Sequence, residues 1–264
     1  MIEIINKDCS KALKEMKDAS VDCIITSPPY WKGFAYEAYF NSYAQYLRWC
    51  KDWMSECKRV LKPNGTFYLN VINDSEITIR AFELMQIATD ELMFKLHDTI
   101  IWYRYNQQPA NTERQLTNQC EYIFMFRHTS AGVSLDKGTA YANNPHIFKT
   151  KNVGNVWEIP FNSGKKSHTS FGRKETKSSY GHSGFPLELP ETCMLLSTKE
   201  NDVVLDPFMG TGQTGIACKK HNRSFIGIEL NPNAFELSKQ RIESYGKLCN
   251  SQFIFNNDTW ENEI

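Results

Sequence analysis

The 264-residue chain is 41% apolar and 23% charged, and its 30 Lys and Arg offset 30 Asp and Glu. That length holds one well-buried α/β domain with an insertion, or two small domains, and the neutral balance confines any nucleic-acid footprint to a local patch. The opening Met1 to Met16 shows no basic segment followed by an apolar one, and no apolar run approaches about 18 residues; neither a signal peptide nor a membrane span is expected, and a cytoplasmic or nucleoid-associated protein is.

In chain order, Ile2 to Asn6 reads as a short strand with Asp8 just after it, and Lys11 to Lys17 as a brief helix. Val21 to Ile25 is rich in β-branched residues, as befits a strand inside a parallel sheet. Ser27-Pro28-Pro29-Tyr30-Trp31 follow. Neither proline has an N–H and each fixes φ near the polyproline value, so neither sheet nor helix continues. The chain therefore leaves the sheet at the strand's carboxyl end, where open α/β sheets bind ligands. It presents there the Ser27 hydroxyl, the Pro28 carbonyl and two aromatic faces, Tyr30 and Trp31. That set suits a flat ring with an exocyclic amine: Ser27 and Pro28 accept the amine's hydrogens and Tyr30 stacks on the ring. The alternative is a Pro-Pro turn closing a strand, with the aromatics as packing.

Trp31 to Asn41 is aromatic and reads as a mobile lip over a site. From Tyr43 to Leu61 apolar residues recur at helical spacing, and Lys62-Pro63-Asn64-Gly65 supplies the stop. Thr66 to Val71 is a strand, Ser75 to Met93 a helix, and Asp98 to Tyr103 and Glu121 to Phe126 are strands. This alternation predicts a doubly wound, mostly parallel sheet. Residues 131–180 break the pattern: rich in Ser, Thr, Asn, Gly and Lys, they carry eight Lys or Arg against three acids. Such a segment is either a solvated surface insertion or a nucleic-acid contact surface whose cations neutralise phosphates, with Lys165, Lys166, Arg173 and Lys174 as the candidates. Pro190 to Ser197 then reads as a helix, Val203 to Phe208 as a strand containing an acid, and a helix runs through Lys220. Phe225 to Glu229 is a strand ending in a carboxylate. Asn231 or Asn233 caps a helix to about Tyr245, and Gln252 to Phe255 is a last short strand.

Gly210-Thr211-Gly212-Gln213-Thr214-Gly215 after a strand, with Glu229 ending the next, has the form of a dinucleotide fingerprint. A dinucleotide needs a second mononucleotide half, and the chain ends at residue 264. Asp206-Pro207-Phe208 also sets a carboxylate before the glycines, where a pyrophosphate would be repelled and a cationic group favoured. With Gly210 and Gly212 for close backbone approach and Glu229 for ribose hydroxyls, a ligand with a ribose, an amino-acid part and no pyrophosphate is implied: S-adenosyl-L-methionine. Eight cysteines lack any C-x-x-C pair and read as reduced thiols; no metal site is expected.

Ser27-Pro28-Pro29-Tyr30 together with Asp206-Pro207-Phe208-Met209-Gly210-Thr211-Gly212 resembles the two signature motifs of amino-group DNA methyltransferases, and their order resembles the circularly permuted β class. Asn70, Trp102 and the Arg114…Glu121-Tyr122-Ile123 stretch are similar to that family's later catalytic-half motifs. His182 to Pro186 resembles the segment lying over the cofactor, with Ser183 where the family has proline, and brings Phe185 there. The resemblance implies a seven-stranded Rossmann-like methyltransferase sheet with the Glu121–Phe126 strand antiparallel. It also implies an N-terminal strand beside the catalytic strand, with Asp8 offered to the adenine amine; a helix N-cap is the other reading of Asp8. The division would be 1–130 catalytic half, 131–180 target-recognition insertion and 181–264 cofactor half.

An exocyclic amine is a weak nucleophile because its lone pair is delocalised into the ring. Accepting both its hydrogens returns density to nitrogen, so direct in-line attack on a sulfonium methyl needs no cysteine nucleophile. The amine is out of reach within a duplex, so the base must be flipped out. By resemblance, Ser27 favours N4 of cytosine over N6 of adenine, with an RNA or protein amide as the alternative substrate. The partners expected are double-stranded DNA, contacted also by Trp31 and Arg114, and a restriction endonuclease. A monomer or a homodimer is compatible with the chain.

Overall fold

A computed structural model describes residues 1–31, 40–72, 80–107, 116–128, 134–160 and 184–246. Eight strands form one sheet: β1 (Ile2–Asn6), β2 (Val21–Thr26), β3 (Leu61–Ile72), β4 (Lys95–Tyr103), β5 (Cys120–Arg127), β6 (Val156–Glu158), β7 (Val203–Asp206) and β8 (Ser224–Glu229), in the order β1-β8-β7-β2-β3-β5-β4-β6. β5 pairs antiparallel with β3 and β4, as expected for that segment, and every other pairing is parallel. The carboxyl ends of β1, β8, β7, β2 and β3 therefore share one edge.

Helices cover both faces. α1 (Cys9–Glu15), α2 (Tyr43–Val60) and α3 (Arg80–Gln86) lie on one side; α4 (Lys137–Asn143), α5 (Glu188–Ser197) and α6 (Gln213–Lys220) lie on the other, where α7 (Pro232–Ser244) joins α6. α2 shows why these segments are helical: it buries Tyr46, Cys50, Trp53, Met54, Cys57 and Val60, a stripe at spacings of three and four. The Ser42 side chain accepts from the Gln45 amide to cap its start. The helix stops at Val60 and β3 begins at the next residue, earlier than the Pro-Asn-Gly turn predicts. β2 is buried at five of its six positions, the mark of a strand covered on both faces.

Two expectations are corrected. The sheet has an eighth strand, β6, drawn from the segment read as an insertion: Trp157 is buried, and β6 pairs parallel with β4 from Ile101 to Tyr103. Ile147, Phe148, Val153 and Ile159 bury beside it, enough apolar surface to bind 134–160 to the sheet. The N-terminal strand does not neighbour the catalytic one; β1 sits at the sheet edge against β8, and β2 lies between β7 and β3. The strand expected at Gln252–Phe255 lies outside the described residues.

Candidate active site

At the shared carboxyl edge the two signature segments are neighbours. Ile24 of β2 pairs with Leu205 of β7, which sets Ser27-Pro28-Pro29-Tyr30 beside Asp206-Pro207-Phe208 although some 180 residues of sequence separate them. Glu229 ends β8 on the far side of β7, and Asp8 follows β1 next to Glu229, since Asn6 pairs with Glu229. Four segments thus converge.

The Pro-Pro turn is held from several directions. The Tyr46 hydroxyl of α2 donates to the Pro29 carbonyl at 2.8 Å. Nη1 of Arg80 donates to the carbonyl of Tyr30 at 3.1 Å and to that of Trp31. Trp31 takes φ +56, a left-handed conformation uncommon outside glycine, and this carbonyl grip together with stacking on Tyr46 at 6.1 Å maintains it. Tyr30 is buried and its hydroxyl is hydrogen-bonded to Ser27 Oγ, which orients the serine side chain.

Gly210 and Gly212 take φ of +51 and +85, left-handed values that glycine adopts without penalty. A side chain at Gly210 would meet nothing within 4 Å, which leaves an open cradle over the loop. Gly215 serves packing instead: a Cβ there would lie 2.5 Å from Ile242 and 2.8 Å from Phe225, so only glycine lets α6 approach this closely. Glu229 accepts from the Gly210 amide at 2.9 Å and from the Asn231 amide at 2.8 Å, and burial raises its pKa. This carboxylate joins the loop to the end of β8, beside the cradle.

Asp206, expected to face a cationic ligand group, is instead sealed inside at 1% exposure. Its Oδ1 accepts from Thr26 Oγ1 at 2.7 Å and from the Phe208 amide at 3.1 Å, and its Oδ2 from Thr214 Oγ1 at 2.7 Å. Burial pushes its pKa from 3.8 up to about 6, with the three donors pulling the other way. Pro207 is buried, and Phe208 packs on Trp49 at 5.5 Å and Trp53 at 5.1 Å. Asp8 caps α1, accepting from the Lys11 amide at 3.2 Å. Phe185 is buried in the same apolar cluster as Met209 and Ile216 of the glycine loop and α6. Arg114, Lys165, Lys166, Arg173 and Lys174 lie outside the described residues.

Sequence reasoning missed Thr26, Tyr46 and Arg80. Thr26 could have been suspected as the polar residue ending a buried strand; the other two come from separate helices and left no local signal. Two strands across, Asn70 donates to Glu121 at 3.1 Å, and Glu121 pairs with Arg104 at 3.0 Å, both charged side chains being about 6–7% exposed. Burial holds the thiols of Cys9, Cys23 and Cys50 up at about 12, so none of these is available as a thiolate.

An open, largely parallel sheet here carries a Pro-Pro turn and a glycine loop side by side at one carboxyl edge, the edge at which such sheets bind ligands. Comparison with known proteins narrows this. A family described as DNA methylase, of the N6/N4 type, matches residues 21–240, and the chain belongs to it. The type II methyltransferase M.HpaI of Haemophilus parainfluenzae is 31% identical over 91% of this chain and 74% of its own length. The PvuII DNA methyltransferase, described as cytosine-N4-specific, shares the fold with a TM-score of 0.75 at 20% identity, covering 91% of this chain and 86% of that one. M1.HpyAVI, solved as a complex with S-adenosylmethionine, is 25% identical with a TM-score of 0.64, covering 92% of this chain and 99% of that one.

Proposed function

We propose that this DNA amino-methyltransferase transfers a methyl group from S-adenosyl-L-methionine to N4 of a cytosine flipped out of double-stranded DNA. The observation that carries the reading is the adjacency of β2 and β7: the amine-accepting turn and the glycine loop meet at one edge. The open cradle over Gly210, with the Glu229 carboxylate beside it, fits a ribose-bearing ligand that has no pyrophosphate. M1.HpyAVI, solved with this cofactor, supports the same choice.

When bound, S-adenosyl-L-methionine supplies an electrophilic methyl. The chain's own residues do the rest. Ser27 Oγ and the Pro28 carbonyl accept the two amine hydrogens, localising the lone pair and aiming it along the line of attack. Tyr30 holds the Ser27 hydroxyl in place and walls the base pocket. Glu229 takes the ribose hydroxyls while fixing the loop, and Asp8 and Phe185 flank the adenine. Nitrogen gains the methyl carbon, sulfur keeps the electrons of the broken bond, and the displaced amine proton departs by way of Ser27 to solvent.

A serine in the first motif position supports cytosine N4 over adenine N6. The charge excess of 131–180 supports its use as the target-recognition segment between a catalytic half (1–130) and a cofactor half (181–264), with Lys165, Lys166, Arg173, Lys174, Arg114 and Trp31 on the DNA. The type II designation of M.HpaI supports a partnering restriction endonuclease. Labelled-methyl transfer to duplex DNA followed by nucleoside analysis tests the reading. N4-methylcytosine is expected; N6-methyladenine would overturn the base assignment, and label in RNA or protein alone would overturn the substrate class.

A further inference from the structure

We propose that Thr26 is a positioning residue which, through Asp206, locks the base-holding turn and the cofactor loop into one unit; this rests on the roles given above to Ser27 and the glycine loop. The backbone ladder between β2 and β7 ends at the pair Ile24–Leu205. Beyond that level the strands diverge into their ligand loops, and the hydrogen bond from Thr26 Oγ1 to Asp206 at 2.7 Å carries the connection onward. Both ends of the bond are followed by proline, Pro28 after Ser27 and Pro207 directly after Asp206. A shift at either strand end is therefore passed to the ligand-facing residues rather than absorbed by loose torsions.

One carboxylate is bonded to three segments at once: the end of β2 through Thr26, the start of the glycine loop through the Phe208 amide, and the first turn of α6 through Thr214. A buried acid between two strands is a poor choice for stability alone, since apolar side chains of the same volume fill such a place at lower cost. An aromatic path runs alongside. Phe208 packs on Trp49, Trp49 lies 6.1 Å from Tyr46, and the Tyr46 hydroxyl reaches the Pro29 carbonyl. The cofactor loop and the Pro-Pro turn thus share one polar and one apolar link, and Thr26 supplies the directional one.

The titratable groups facing Asp206 are Glu229 of β8, Cys57 of α2 and Cys218 of α6. Burial holds both thiols protonated, so in the acid range Asp206 and Glu229 alone among these change charge. Asp206 accepts from all three donors best while ionised, since a proton on either oxygen turns that oxygen into a donor as well and weakens it as an acceptor. Losing the Thr26 donor makes protonation easier and should move the acid limb of the rate profile upward.

The test is Thr26→Val, which removes the hydroxyl at nearly constant volume, with Thr26→Ser as rescue and Ser27→Ala in parallel. On the full-length enzyme acting on duplex DNA, Thr26→Val should lower kcat about tenfold, weaken S-adenosyl-L-methionine binding about threefold and shift the acid limb up by about one pH unit. Thr26→Ser should restore all three. Thr214→Val keeps the Thr26 bond and loses the other hydroxyl; it should weaken cofactor binding more than it lowers kcat, and it stands in should Thr26→Val fail to fold. A Thr26→Val enzyme with wild-type constants, or with a lower kcat and an unmoved acid limb, would overturn the proposal, as would a kcat in Thr214→Val as low as that of Thr26→Val. A Ser27→Ala enzyme with wild-type kcat would overturn the reading of the turn itself, a result separate from either.

Discussion

Asp206 offers the sharpest quantitative prediction. Its carboxyl is 1% exposed and burial raises its pKa from 3.8 to about 6. At about 1.4 kcal/mol per tenfold change in proton affinity, holding the ionised form in this site costs the folded state roughly 3 kcal/mol, hydrogen bonds included. The folded-state pKa lies above the unfolded one. Below about pH 4 both states are protonated and there is no penalty; as pH rises toward 6 the unfolded chain gives up its proton first, and stability falls. Above about 6 the full penalty is present. Asp206→Asn keeps the shape and cannot ionise, but its amide NH2 faces a donor that the carboxylate accepted; whatever constant offset this adds, its stability relative to wild type should rise by roughly 3 kcal/mol between pH 4 and pH 8, while methyl transfer falls by at least about tenfold. Urea unfolding of both proteins at the two pH values, beside a transfer assay, measures this. An offset between the two proteins that is equal at both pH values would show the reasoning to be wrong.

Three further outcomes follow from the geometry and a fourth from the sequence. Ser27→Ala should lower kcat on the order of a hundredfold, as losing one preorganised transition-state hydrogen bond does, with cofactor affinity measured by calorimetry within about threefold of wild type. Gly210→Val forces a β-branched residue to φ +51 and fills the open cradle, so S-adenosyl-L-methionine binding should weaken by more than about tenfold. Arg104→Ala leaves Glu121 charged and largely desolvated, and urea unfolding should show a loss of about 3–5 kcal/mol. Replacing Lys165, Lys166, Arg173 and Lys174 by Gln should weaken DNA binding across sequences and flatten the log Kd against log salt slope by roughly one for each phosphate no longer neutralised; an unchanged slope would remove those residues from the interface.

The strands and helices were largely legible from local pattern, because a parallel strand covered on both faces must be an apolar β-branched run and a surface helix must show a stripe. Val21 to Ile25, Tyr43 to Leu61 and Phe225 to Glu229 fell within a residue of the observed bounds. The end of β2 ahead of Pro28-Pro29 and the left-handed turns at Gly210 and Gly212 were equally local, resting on missing N–H groups and missing Cβ atoms. Which strands touch was not legible, since lateral order depends on crossover connections that leave no mark within a strand; hence β1 was placed beside β2 and β6 was read as part of a loop. The role of Asp206 shows the same boundary. Its position at a strand end was plain from sequence, but whether a carboxylate there faces a ligand or is enclosed by Thr26, Thr214 and Phe208 depends on what three distant segments bring to it, and only the folded chain determines that.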